Sequence, residues 1–101
     1  MKKIEEFIDY IEDELCDAEK YANVALDYKE SDPVSAELAY KLANDEILHM
    51  DSWHKRVVAL VEAYKKTNGE PPAEMMWRYE YTHKKYMAHL AAVKGILSLY
   101  K

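Results

Sequence analysis

Apolar residues recur every three or four positions along three stretches of the chain. The first, over residues 3–29, carries Ile4, Phe7, Ile8, Ile11, Leu15, Ala18, Ala22 and Ala25. The second, over 33–67, carries Leu38, Leu42, Val57, Leu60, Val61 and Tyr64. The third, over 73–100, carries Met76, Met87, Leu90, Val93 and Leu97. That spacing predicts three helices, each burying one face. At 1.5 Å per residue they reach about 40 to 50 Å.

The interruptions agree with this reading. The chain has 2 Gly and 3 Pro. All but Gly95 fall in two short breaks, Glu30-Ser31-Asp32-Pro33 and Asn68-Gly69-Glu70-Pro71-Pro72. Asp32 is placed to cap the second helix, with Pro33 in its first turn. Gly69 is a natural helix stop, and the two prolines prevent immediate continuation. Gly95, inside the third stretch, predicts a point of close packing. Long helices joined by short loops pack as an antiparallel bundle. The expected fold is therefore all-α: a single domain over residues 1–101, with three long antiparallel helices. Three helices enclose a thin core, so self-association is expected.

Composition narrows the function. At 101 residues, 50% hydrophobic and 33% charged, the chain suits one globular domain. Its net charge of -5, with acidic residues crowded on the first helix, argues against nucleic acid as a partner. Cys16 is the only cysteine, which rules out an intrachain disulfide and a cysteine-based zinc cluster. Cys16 is expected near the core. No apolar run resembles a signal peptide or a membrane span, so a cytoplasmic protein without a membrane partner is expected.

Polar residues interrupt the stripes at particular points. The first helix reads Ile11, Glu14, Ala18, Tyr21, Ala25; the second reads Leu38, Leu42, Glu46, His49, Trp53, Leu60. The third reads Met76, Glu80, His83, Met87, Leu90. Glu46-Ile47-Leu48-His49 and Glu80-Tyr81-Thr82-His83 each put a carboxylate and an imidazole one turn apart on one helix face. Bundles that hold two metal ions use this step together with lone glutamates from other helices. A buried carboxylate without a partner is costly, so a metal or a histidine is the expected partner.

Register sharpens the first group. An antiparallel hairpin folded about Ser31 sets Glu14 opposite residue 48, midway between Glu46 and His49. The third helix does not join them so simply. A hairpin between 65 and 73 puts Glu80 and His83 near Val57, about 13 Å along the axis from His49, and brings residues 89–92 level with the first group. Either the helix ends lie elsewhere than these bounds, or Glu80 and His83 belong to another site, another subunit's site, or solvent. The Glu-x-x-His step alone is short enough to arise by chance. The bland alternative for Glu14, Glu46 and His49 is a polar cluster or wet groove. His54 and His89 read as ordinary surface or core histidines, and Trp53, Trp77 and the 9 tyrosines as core and interface aromatics.

Glu14-x6-Tyr21 followed by Ala43-Asn44-Asp45-Glu46-x-x-His49 resembles the ferritin-like superfamily, in its rubrerythrin-like and encapsulated-ferritin-like branches. The likeness covers residues 5–65. Trp77 to His83 more loosely resembles the C-terminal helix of small ferritin-like proteins from bacterial and phage genomes. The resemblance implies a di-iron or di-manganese carboxylate site and ferroxidase-type chemistry. Glu14 would be a terminal or bridging ligand, Glu46 a bridging ligand, His49 a terminal nitrogen ligand and Tyr21 an outer hydrogen-bonding group. A full member of that superfamily has four helices, four carboxylates and two histidines; this chain has three helices. Either two copies each donate Glu14, Glu46 and His49, making a homodimer or a larger homo-oligomer, or Glu80 and His83 complete a site within one chain. Register favours the first. Oxygen-rich ligation with imidazole suits iron or manganese over zinc or calcium. Competing readings are a structural or interaction module without redox work, and a zinc- or calcium-stabilised bundle.

Overall fold

The computed structural model describes residues 2–101 and is all-α. Its helices are α1 (Lys2–Asp27), α2 (Pro33–Asn68) and α3 (Ala73–Tyr100). The molecule is a rod of 55 × 18 × 18 Å. No helix among the described residues is long and apolar enough to cross a membrane.

The breaks behave as their residues dictate. Asp32 accepts a hydrogen bond from the Ser35 amide at 3.2 Å, which holds its carboxyl below the ordinary range, and Pro33 occupies the first turn of α2. Gly69 closes α2 at φ 75°, a conformation that disfavours a side chain, and its N–H donates to the Lys65 carbonyl at 2.9 Å. Contacts fix the helix directions. Phe7 meets Trp53 while Glu14 meets His49, so α1 and α2 are antiparallel. Glu5 pairs with Arg78 and Glu12 with His89, so α3 runs parallel to α1. His54 meets Tyr86 and Tyr40 stacks on Tyr100, so α3 runs against α2.

The core has two parts. One end is bulky, built on Ile11, Leu15, Met50, Val57 and Tyr86. The other is built on Ala18, Ala22 and Ala43 against Val93 and Leu97. Ala18 and Ala22 on α1 pack with Ala43 on α2, and Ala36 and Ala39 of α2 are buried as well, so small residues fill this half of the α1/α2 seam. This corrects the expected α2 stripe: a seam lined by alanines has no room for Leu38, which is turned outward and 58% exposed. On α3 the buried face is Tyr86, Val93 and Leu97, while Met87 is 36% exposed. Cys16 is exposed rather than near the core, since Leu15 and Ala18 take the inward positions of that turn. A Cβ added at Gly95 would meet nothing within 4 Å, so the close approach expected there does not occur within one chain.

Tyr86 is wholly buried, and its hydroxyl lies 2.7 Å from Nδ1 of His54. Burial, then the neighbouring His83, lowers the His54 pKa, while burial pushes the Tyr86 phenol far up. Neutral imidazole therefore accepts from a phenol that stays protonated. Replacing His54 with Ala strands that hydroxyl, and we expect a loss of about 1–3 kcal/mol. Chemical denaturation checks it. A loss no larger in His54→Ala than in Tyr86→Phe would show that the hydroxyl needs no partner.

Candidate metal centre

Glu14 lies on α1, and Glu46 and His49 lie one turn apart on α2. Their register follows from the tight break at 28–32 and the alanine seam, which together fix how α1 slides along α2. One ligand atom from each of the three residues falls within 4.8 Å of the other two. His49 Nδ1 lies 3.6 Å from Glu14 Oε2 and 3.7 Å from Glu46 Oε1. The carboxylates are mostly covered, with side chains 25% and 20% exposed, while His49 is 59% exposed.

Two carboxylates this close cannot both ionise cheaply. Glu46 shares a hydrogen bond with Glu14, loses hydration and feels the Glu14 charge, and its pKa rises from 4.5 to about 7. Asp17 adds to the rise and His49 opposes it. The group thus holds a proton between its two carboxylates into the neutral range. Among the described residues it is the one cluster of three or more His, Cys, Asp or Glu side chains with converging ligand atoms. Two carboxylate oxygens and an imidazole nitrogen are donors of the kind that could hold a cation such as iron or manganese.

The site's surroundings matter as much as its ligands. α3 packs along the flank of α1 carrying Glu5, Glu12 and Glu19. Glu14 is on the other flank, so α3 does not cover the cluster. Instead the cluster sits between an aromatic group and a patch of partly exposed apolar residues. Trp53 lies against Phe7 and Tyr10, with ring centroids at 4.7 and 5.1 Å. Toward the other end the same face carries Tyr21, Leu42 and the exposed Leu38.

The remaining sequence-predicted residues do not join the three. Tyr21 is half-buried beside Ala18, Ala22 and Ala43, and among the described residues its hydroxyl bonds to none of the three ligands. His83 stacks on His54 at 5.3 Å, on the α2/α3 seam, and Glu80 is exposed. Level with Glu14, on the far side of α1, His89 puts Nε2 2.9 Å from Glu19 and Nδ1 3.7 Å from Glu12. That imidazole ties α3 to α1. The sequence signal for it was the seven-residue spacing of Glu5, Glu12 and Glu19, which marks one face. Tyr86 could have been found from its spacing with Tyr79, Leu90 and Val93.

No protein-family model matches the chain, and neither does any curated protein or solved structure.

Proposed function

We propose that the chain is a ferritin-like metal-handling protein, in which Glu14, Glu46 and His49 from two copies enclose a pair of iron ions. The observation that carries this reading is the convergence of three ligand atoms within 4.8 Å on the face that α3 leaves open. One copy supplies half of a four-carboxylate, two-histidine set. A two-fold axis beside the cluster supplies the other half, and isologous pairing is the commonest way to close such a face. Tyr10 and Leu38, 36% and 58% exposed, would be covered by the same contact. Manganese suits the same ligands.

When bound, an iron(II) pair supplies two electrons to oxygen or peroxide and is left as iron(III). The chain's own part is to hold ligand geometry and keep bulk water out. Glu46 gives up its shared proton on binding, and Glu14 is freed to face the cation. Trp53 and Phe7 wall one end of the site with apolar surface. Neither Glu80 nor His83 is needed for this arrangement.

A second reading is a helical interaction module in which the three side chains pair only with one another. The 59% exposure of His49 favours it. Iron(II) oxidation separates the two. Wild type mixed with iron(II) in air is expected to form iron(III) faster than protein-free buffer, at a rate that Glu14→Ala returns to the buffer value. Equal rates for wild type and buffer would leave the interaction module standing.

A further inference from the structure

α3 is apolar on two sides. Its inner side, Tyr86, Val93 and Leu97, is buried. Its outer side carries Trp77, Tyr81, Ala88, Ala92, Gly95 and Leu99, in steps of three, four or seven residues, which keeps them on one face. Trp77, Tyr81 and Leu99 are 67%, 57% and 66% exposed. A glycine inside a helix weakens it and is retained where another backbone or a large side chain must come close. Nothing within this chain comes close to Gly95.

The face is large at one end and small at the other. Its bulk, Trp77 and Tyr81, lies in the N-terminal half, and Ala88, Ala92 and Gly95 follow. Two copies laid antiparallel with Ala88 opposite Ala88 set Tyr81 of each over Gly95 of the other. The same register sets Trp77 against Leu99. The flanking charges also match. Glu80 of one copy falls within a turn of Lys94 of the other, on the same flank. Lys84 lies near the axis, where its stem can cover alanine surface and its ammonium can reach water. A parallel pair would instead set Trp77 on Trp77 and Glu80 on Glu80.

We propose that the outer face of α3 is a self-association surface, on which a second copy of this chain packs antiparallel about Ala88. It is separate from the Glu14/Glu46/His49 face and does not depend on metal. With both faces engaged, the protein grows beyond a dimer.

The test uses the full chain carrying Cys16→Ser, kept in chelator so that metal drives no association. Light scattering is expected to give at least a dimer, and Ala88→Glu, which sets two carboxylates together at the axis, is expected to lower the mass. Ala88→Glu should leave the iron(II) titration unchanged, which separates this proposal from the metal site. Cysteine placement reads the register directly. Ala88→Cys should form interchain disulfides on mild oxidation. Tyr81→Cys alone and Gly95→Cys alone should not, because their copies lie about 21 Å apart along the axis. The Tyr81→Cys and Gly95→Cys chains mixed should cross-link. Cross-linking of Tyr81→Cys alone as fast as Ala88→Cys would mean parallel pairing and overturn the proposal. A monomeric wild type, or a mass that folded Ala88→Glu does not change, would overturn it too. Should Ala88→Glu not fold, the cross-linking pattern decides.

Discussion

Replacing His49 with Ala is expected to weaken iron(II) binding by about 100-fold or more at neutral pH. The residue supplies the only nitrogen of the cluster, and its ring nitrogen lies within 3.7 Å of both carboxylates. Losing one of three ligands per copy removes two of the six in the proposed pair of sites. Outer partners alone, when lost, cost 10–100-fold in comparable metal sites. The fold should not suffer, because the side chain is 59% exposed and fills no part of the core. Anaerobic titration with iron(II) measures the affinity, and circular dichroism checks the fold. Equal affinity in wild type and His49→Ala removes His49 from the site. The wild-type affinity should also depend on pH with a defined sign. Glu46 holds its proton up to about 7. Binding must expel that proton below pH 7, so affinity falls as the pH drops, by up to about tenfold per unit.

Metal loading is expected to raise the melting temperature by roughly 15 °C or more. A ligand bound only by the folded state stabilises it by about 4.1 kcal/mol at 1,000 times its dissociation constant. Each kcal/mol is worth about 4–8 °C in a domain of this size. The shift should be larger above pH 7 than at pH 5. The folded pKa of Glu46 lies above its ordinary 4.5. The metal-free fold therefore loses stability as the pH rises from 4.5 to about 7, where Glu46 ionises against Glu14. A bound cation removes that repulsion. Thermal melts at both pH values, with iron(II) or manganese(II) and with chelator, read the shift. No shift at saturating metal at pH 7.5 would count against a site in the folded protein.

The three helices were legible in the sequence because periodicity and punctuation agreed. Asp32-Pro33 and Gly69 set helix bounds that the structure keeps, while α1 ends at Asp27, two residues short of the expected stop. The Glu14 register was legible as well, since a short break leaves a hairpin little freedom to slide. Side-chain direction was harder. Leu38 and Met87 fit the three-or-four spacing, yet the structure buries alanines and Tyr86 in their place. Hydrophobicity alone does not tell whether a seam is wide enough for leucine. On α3 both sides are apolar, so a single inward stripe could not be chosen from the pattern. The His54–Tyr86 bond and the His89 tie join residues far apart in sequence, so the spacing of Tyr86 or of Glu5, Glu12 and Glu19 marks a face but does not name the partner across the seam.

Metal is expected at Glu14, Glu46 and His49 where two copies meet. Diffraction from crystals grown with iron(II), recorded above and below the iron absorption edge, tests it most directly. The expected result is anomalous density at metal–ligand distance from all three residues, beside a two-fold axis that brings the same three residues of a second copy to the other side. Iron density at Glu80 and His83 instead, or none at the cluster in a metal-saturated crystal, would contradict the account.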